Sequence, residues 1–152
     1  SSDGAVVSSS RIRTLVAAGK VADAAQLLAR PFALRGSVAR GDAIGRTIGF
    51  PTANVEAPEQ IQPGAGVYAV RLHVDGQMLP AVCNAGVRPT VTEGEQWRVE
   101  AHCLDFDGDL YGADVSLEFI ARIRHERRFA GLDALKEQIA RDCRTARDLL
   151  RV

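Results

Sequence analysis

The stretch "GVYAVRLHVDGQMLPAVCNAG", Gly66 to Gly86, predicts a β-hairpin and with it a fold built from strands. Apolar residues alternate through its first half and would share one face: Tyr68, Val70, Leu72 and Val74. The opposite face would carry Arg71, His73 and Asp75. Asp75-Gly76 is a pair typical of a two-residue hairpin turn, so "MLPAVCNAG" is predicted to be the return strand.

Four further segments show strand patterns on either side of this hairpin. The two longer ones are "WRVEAHCLDF", Trp97 to Phe106, and "ADVSLEFIARIR", Ala113 to Arg124. In the second, alternate residues would face one way: Val115, Leu117, Phe119, Ala121 and Ile123. Shorter strands are expected at Leu34–Arg40 and Thr52–Val55. About six short strands separated by turns indicate a closed barrel or a sandwich.

Helical patterns lie at the two ends of the chain. The tail repeats apolar residues at intervals of three and four, which predicts a C-terminal amphipathic helix with this stripe: Leu132, Leu135, Ile139, Cys143, Ala146 and Leu150. Near the start, two short helices would present small apolar faces: Ile12, Leu15 and Val16 on the first, and Ala24, Leu27 and Leu28 on the second. These two helices bury too little surface to be stable alone.

The composition excludes some classes of protein. The 152 residues hold 19 Lys+Arg and 19 Asp+Glu, and this zero net charge argues against a protein that binds the nucleic-acid backbone. Cys83, Cys103 and Cys143 are far apart and form no Cys-x-x-Cys pair, so reduced thiols in the cytoplasm are expected. Neither a membrane-spanning apolar run nor a signal peptide is present in the sequence, and we expect no membrane partner.

The stretch "GDAIGRTIGFPTAN", Gly41 to Asn54, combines closely spaced glycines with small polar residues. The glycines would let backbone N–H groups approach an anion, and Thr52 and Asn54 would supply neutral oxygens for a metal. The stretch is neither a Walker A loop nor Gly-x-Gly-x-x-Gly. Spacing alone also fits a glycine-rich hairpin followed by an edge strand that begins at Pro51.

Five blocks of sequence, in order, resemble the motifs of riboflavin kinases. They are the glycine-containing loop running into "GFPTAN", then "GVYAV", "NAGVRPT", "VEAHCLDFDGDLYG" and "IRHERRFAGLDALKEQIARD". The resemblance extends from about Phe32 to Leu150. It implies a mainly β fold, a six-stranded Greek-key barrel with a C-terminal helix. It also implies transfer of the γ-phosphoryl group of ATP, with Mg²⁺, to the ribityl 5′-hydroxyl of riboflavin to give FMN and ADP.

The resemblance assigns roles to individual residues. Glu100 corresponds to the catalytic base, and the ATP-binding residues would be Gly41, Gly45, Arg46, Thr52, Asn54 and Tyr111. Thr52 and Asn54 would also hold the metal, because residues two apart on a strand face the same side. The flavin would meet Arg124, Arg127 and Phe129. Without the resemblance, a surface glutamate on the polar side of a strand is the favoured interpretation of Glu100, and His102 is a second candidate base that ranks below Glu100.

The leading segment "SSSRIRTLVAAGKVADAAQLLARPF" resembles the end of the adenylyltransferase domain that precedes this kinase in bacterial bifunctional FAD synthetases. We therefore expect residues 1–31 to be a remnant of that domain or a linker, and residues 32–152 to be the kinase domain. The absence of an initiator methionine suggests a cut chain. The parent protein would also make FAD, whereas these residues should make FMN only. A contact with the adenylyltransferase domain is a possible further interaction.

Two other classes of protein stay open on the residues alone. One is a small barrel that binds nucleic acid, which the neutral charge and few aromatic residues disfavour. The other is a flavin- or nucleotide-binding barrel without kinase activity. Thr52 and Asn54 together with Glu100 discriminate against it, because a flavin carrier needs neither a metal-binding oxygen pair nor a base.

Overall fold

The chain was analysed as a computed structural model that describes residues 2–39, 49–57, 62–90, 94–106 and 108–152. In these ranges the elements follow one another as α1 (Ser2–Ala17), α2 (Val21–Leu28), β1 (Phe32–Ala39), β2 (Ala53–Glu56), β3 (Gly66–Val74), β4 (Gln77–Thr90), β5 (Gly94–Cys103), β6 (Asp114–Arg124) and α3 (Leu132–Leu150). No helix within the described ranges is long and apolar enough to cross a membrane.

The six strands form a closed antiparallel barrel in the order β1-β2-β5-β4-β3-β6. Strands β3, β4 and β5 are consecutive neighbours, and β6 returns to lie beside β3, which is a Greek-key arrangement. Asp75 and Gly76 have φ angles of 48° and 78°, as a tight hairpin turn requires. The predicted Greek-key barrel and its central hairpin are therefore confirmed.

The barrel interior is filled by the alternate residues that the sequence pattern predicted. The predicted face of β3 is buried inside: Tyr68, Val70, Leu72 and Val74. The rings of Tyr68 and Phe119 meet edge to face with centroids 5.1 Å apart. The Tyr68 hydroxyl donates a hydrogen bond to the Gly64 carbonyl, and burial raises its pKa to about 12. A hydroxyl that is both bonded and buried stays protonated and belongs to the core.

The predicted face of β6 is only partly correct. Val115, Leu117 and Phe119 point into the barrel, but Ile123 packs in a separate cluster outside it. The β3–β6 pairing shifts register between Val67 and Tyr68 and again between Ala69 and Val70. Each shift adds an unpaired residue to β6, and an added residue turns the following side chains to the other face. Ala121, which pairs with Ala69 of the outer cluster, is displaced in the same way.

Helix α3 covers the outer face of β3, β4 and β6. Its residues Cys143, Ala146 and Leu150 pack with strand residues in the outer cluster, which includes Val67, Ala69 and Val82. Leu132, expected on the same stripe, is 54% exposed. Residues 131–134 are all exposed, so the first turn of α3 lies beyond the surface on which the helix packs.

Helices α1 and α2 extend the interior core. Val16, Val21 and Ala24 are buried in the same cluster as the barrel residues. The Gly64 N–H donates to the Val16 carbonyl over 2.8 Å, a bond that ties α1 to the chain entering β3. Leu27 was expected on the apolar face of α2 but is 43% exposed, because α2 turns its Val21–Ala24 side to the barrel.

All three cysteines are free, buried thiols. Burial raises the pKa of Cys103 to about 11 and also raises the pKa of Cys83 and of Cys143. Thiols of this kind are poor nucleophiles at neutral pH, so none is a candidate for catalysis.

Candidate active site

One line of directly paired residues crosses the barrel and contains two of the predicted site residues. Asn54 of β2 pairs with Glu100 of β5, and Glu100 pairs in turn with Asn84 of β4. Directly opposite residues of antiparallel strands project from the same face of the sheet. We call this line the cross-strand row: Ala39, Asn54, Glu100, Asn84, Val67 and Arg124.

The cross-strand row faces outward. Val99 and Ala101, on either side of Glu100, belong to the interior cluster, whereas Val67 belongs to the outer cluster. The sequence left it open which face Glu100 occupies, because the segment Trp97–Phe106 carries both polar residues and Leu104 on that side. In the structure Leu104 packs in the outer cluster with α3, whereas Arg98, Glu100 and His102 on the same side are only partly buried.

Glu100 lies between two asparagines, one on each neighbouring strand. Strands in a sheet are about 4.8 Å apart, so both amide side chains lie within reach of a ligand held at the Glu100 carboxylate. Glu100 is only partly buried. Burial is the main reason why the pKa of Cys83 is raised, and the negative charge of the Glu100 carboxylate raises it further. The row therefore places a carboxylate, flanked by neutral polar groups, on an accessible outer surface.

His102 anchors the segment that carries Thr52. Its Nδ1 donates a hydrogen bond of 2.8 Å to the Pro51 carbonyl, and its ring meets Phe50 edge to face at 5.3 Å. Phe50 packs in turn against the outer cluster. These contacts hold the segment before β2 against β5. They give His102 a structural role, in agreement with its lower rank as a candidate base.

The oxygen atoms near Asn54 suit a hard divalent cation. Thr52 is exposed, immediately before β2, and Asn54 follows two residues later beside the Glu100 carboxylate. Within the described ranges no group of three or more His, Cys, Asp and Glu could hold a metal. Mg²⁺ accepts a small set of oxygen ligands and keeps waters and substrate phosphates for its other positions. Thr52 and Asn54 offer neutral oxygens, the kind of donor that a hard divalent cation accepts.

Arg124, at the far end of the row, is engaged by helix α3. Its Nε lies 3.1 and 3.0 Å from the two carboxylate oxygens of Asp142, and its Nη2 lies 2.9 Å from Oδ2. Asp142 is 2% exposed and also accepts a hydrogen bond of 2.9 Å from Gln138. A bidentate pair of this kind fixes the orientation of the guanidinium. Neither Asp142 nor its pairing was predicted from the sequence.

Residues 125–131 form the segment that follows Arg124, and Phe129 lies within it. The guanidinium carbon of Arg124 is 5.5 Å from the centroid of the Phe129 ring, and that of Arg127 is 4.9 Å from it. Two of the predicted flavin-binding residues, Arg124 and Arg127, therefore each contact the third, Phe129. Arg127 is exposed, whereas Arg124 is largely occupied by Asp142.

The same segment lies over β4. The Glu126 carboxylate is placed against Gly86, where any side chain at position 86 would collide with it. Gly86 follows Asn84 by two residues and so shares its face of β4. The segment 125–131 thus borders the cross-strand row on its β4 side.

The structure places Tyr111 apart from Glu100, at the turn before β6. Its backbone N–H donates to Asp109, and its side chain is 54% exposed. Gly112, the next residue, donates a hydrogen bond to Val38 of β1, directly before Ala39 of the row. Gly41, Gly45 and Arg46, the other predicted phosphate-binding residues, lie outside the described residues.

An open cavity of about 550 Å³ lies beside this surface without containing it. Residues of β1, β6 and the β3–β4 turn line it, and it reaches Glu56, two residues after Asn54. None of the predicted site residues that the structure describes is among its lining residues. The candidate site rests on the chemistry of the cross-strand row, which is an open surface rather than a deep pocket.

The sequence model of a family described as "Flavokinase: Riboflavin kinase" matches residues 28–150. This chain belongs to the riboflavin kinase family. Enzymes of this family depend on ATP and typically need a divalent metal.

Known relatives agree with this assignment. The chain is 49% identical over 146 residues to a bifunctional riboflavin kinase/FMN adenylyltransferase of Escherichia coli K12, covering 95% of this chain and 46% of that protein. A protein of the same description from Bacillus subtilis is 46% identical over 139 residues, which is 90% of this chain and 44% of its own length. The chain thus spans about half the length of the curated relatives it matches.

Two solved structures share the fold. The riboflavin kinase of Trypanosoma brucei superposes with a TM-score of 0.58 at 29% identity, covering 80% of both chains. A Streptococcus pneumoniae structure described as a macrolide-efflux protein superposes with a TM-score of 0.86 at 36% identity, covering 91% of this chain and 46% of that one. The efflux role named there is not transferred to this riboflavin kinase domain, because the shared part is less than half of that protein.

Proposed function

We propose that this chain transfers the γ-phosphoryl group of ATP to the 5′-hydroxyl of riboflavin, giving FMN and ADP. The observation that carries the proposal is the position of Glu100 on the outer face, directly paired with Asn54, with Thr52 two residues before Asn54. A base, two metal-binding oxygens and an open surface are the parts that a phosphoryl transfer to an alcohol needs. Membership of the riboflavin kinase family supports the same reaction.

Glu100 acts as the general base in this proposal. Its carboxylate accepts the proton of the 5′-hydroxyl while the hydroxyl oxygen forms a bond to the γ-phosphorus. The bond between that phosphorus and the bridging oxygen breaks on the opposite side, and ADP leaves with the electron pair. Most of the remaining rate enhancement in such a transfer comes from positioning and from neutralising the phosphate charges.

Thr52 and Asn54 hold a divalent metal, which we propose to be Mg²⁺. A metal held there would supply positive charge that neutralises the phosphates of ATP. Gly41, Gly45, Arg46 and Tyr111 remain proposals for binding the rest of the nucleotide. The position of Tyr111 beside the end of β1 is compatible with such a role, because β1 leads directly to Gly41 and to the row.

Arg127 and Phe129 contact the flavin in this proposal, and Arg124 supports them. Arg127 is exposed and Phe129 is partly buried, so both can meet a ligand lying on the row. Arg124 uses its guanidinium mainly for Asp142 and stacks on Phe129. We therefore assign Arg124 chiefly to orienting Phe129, with direct flavin contact as the lesser part of its role.

Three wider assignments from the sequence are kept as proposals. Residues 1–31 would be the end of a preceding domain, and the kinase domain would begin at residue 32, although α1 and α2 share its core. We also propose that the protein works in the cytoplasm, in line with its three reduced thiols. Contact with an adenylyltransferase domain is proposed by analogy with the bifunctional relatives.

The proposed reaction is tested by incubating the chain with riboflavin, ATP and Mg²⁺ and separating the flavins by chromatography. FMN should accumulate in proportion to protein concentration and time, and omission of ATP should abolish it. Riboflavin that binds, as measured by quenching of its fluorescence, but yields no FMN would overturn the proposal. That outcome would favour a flavin-binding barrel without kinase activity.

Replacing Thr52 or Asn54 by alanine should weaken ATP binding on the order of 10-fold when Mg²⁺ is present and leave it unchanged in EDTA. The reason is that each substitution removes one metal ligand and no direct nucleotide contact. Equilibrium binding of ATP with and without Mg²⁺ measures both values. Thr145→Ala on α3 is the matched control, because Thr145 is exposed and donates its hydrogen bond within its own helix, to the Arg141 carbonyl. Equal losses with Mg²⁺ and in EDTA would contradict the metal assignment.

A further inference from the structure

The Asn84 side chain carries a buried oxygen with no hydrogen-bond partner. Its Oδ1 atom is shielded from solvent. Among the buried side-chain nitrogen and oxygen atoms of the described residues, it is the one that has no hydrogen-bond partner. Leaving such a group unpaired costs its desolvation free energy with nothing in return, so native proteins rarely keep one without a use for it. An acceptor placed in this way indicates a hydrogen-bond donor that belongs to a ligand.

The position of Asn84 restricts which part of a ligand that donor belongs to. Asn84 pairs directly with Glu100, on the side opposite Asn54. If the metal and phosphates lie toward Thr52 and Asn54, the accepting substrate must approach Glu100 from the Asn84 side. Side chains at directly paired positions have Cβ atoms about 5 Å apart, so Asn84 reaches the atoms next to the hydroxyl that Glu100 deprotonates.

We propose that the Asn84 amide oxygen accepts a hydrogen bond from the 4′-hydroxyl of the ribityl chain, next to the carbon that carries the phosphorylated 5′-hydroxyl. This inference rests on the proposed riboflavin kinase function. The neighbouring surface is polar: the Glu126 carboxylate of the segment 125–131 lies against Gly86, two residues further along the same face of β4. Asn84 then helps to select a flavin with a hydroxylated side chain.

The selection has a physical basis in the unpaired oxygen. A site built to bond a substrate hydroxyl rejects an analogue that lacks it, because the buried acceptor stays unsatisfied. An amide also suits this position better than a carboxylate, since a second negative charge opposite Glu100 would hinder its ionisation. Asn84 is therefore a specificity-determining residue for the accepting substrate and has no part in holding the metal.

The test compares riboflavin with 4′-deoxyriboflavin in the wild-type chain, in Asn84→Leu and in Asn84→Thr. The wild type should prefer riboflavin about 10-fold to 100-fold, in both kcat/KM and equilibrium binding measured by flavin fluorescence. Asn84→Leu should lose this preference and leave the KM for ATP unchanged. Asn84→Thr keeps an acceptor oxygen on a residue that suits a strand, so it should retain part of the preference.

Stability provides a second readout that separates substrate contact from a structural role. Asn84→Leu removes an unpaired buried polar group in favour of an apolar side chain of similar size, so its urea midpoint should equal or exceed that of the wild type. A wild type without the preference, or an Asn84→Leu variant that keeps it, would overturn the inference even when FMN is made normally. A wild type that makes no FMN would instead refute the proposed function, and the binding comparison would still decide the role of Asn84.

Discussion

Replacing Glu100 by glutamine should lower kcat about 10²-fold or more while riboflavin still binds. The amide keeps the size of the side chain and its place between Asn54 and Asn84, but it cannot accept the proton of the 5′-hydroxyl. Initial rates of FMN formation at saturating riboflavin and ATP give kcat, and flavin fluorescence gives the affinity for riboflavin.

Two further variants make this experiment specific to Glu100. Glu118→Gln is the matched control, because Glu118 is also a partly buried strand glutamate but contacts His73 rather than the row. It should turn over at nearly the wild-type rate. His102→Asn tests the other possible base. Near-normal turnover in Glu100→Gln together with a large loss in His102→Asn would move the assignment to His102.

Replacing Asp142 by asparagine should destabilise the fold by about 3 kcal/mol. Asp142 is 2% exposed and bonds the Arg124 guanidinium through both oxygens, while the Arg124 side chain is 18% exposed. Loss of the carboxylate charge leaves a largely buried cation without its counter-ion. The partial exposure of Arg124 allows some hydration, which keeps the expected effect at the lower end of the range for buried pairs. Urea unfolding followed by circular dichroism measures the free energy of unfolding.

The same helix supplies the control for this prediction. Arg147 of α3 forms a bidentate pair with Asp105, at 2.7 and 2.8 Å, but the two side chains are 37% and 72% exposed. Asp105→Asn should therefore shift the unfolding midpoint only slightly. The double variant Arg124→Met/Asp142→Leu should recover most of the stability that Asp142→Asn loses, because it removes both buried charges. An Asp142→Asn variant as stable as the wild type would show that the pair does not hold α3 to the barrel.

The expectation of a barrel came from two kinds of information in the sequence. Alternation and the Asp75-Gly76 turn are local features, and they correctly predicted the hairpin of β3 and β4. Local alternation left the choice between barrel and sandwich open, because closure depends on pairing between distant strands. Resemblance to riboflavin kinases resolved that choice, and the closed order of six strands confirms it.

The predictions that failed share one cause. Ile123, Leu132 and Leu27 each continue a local apolar pattern, yet none lies on the face or at the depth which that pattern predicted. Bulges in the β3–β6 pairing turned Ile123 outward, and the helices present to the barrel only part of the stripe that their sequences offer. Burial is decided by the partner surface, and a local pattern contains no information about where that surface ends.

The difference between what the sequence predicted and what the tertiary structure decided is clearest at the candidate site. The sequence by itself predicted that Thr52 and Asn54 share a face, because side-chain direction along a strand depends only on residue spacing. This stays a prediction, since β2 begins at Ala53. Only the tertiary structure decided that Asn54, Glu100 and Asn84 lie side by side, since their register is set by barrel closure across three strands that are distant in the chain. The buried Asp142–Arg124 pair likewise exists only once α3 packs on the barrel, because that packing supplies the low-polarity environment in which the two charges must meet.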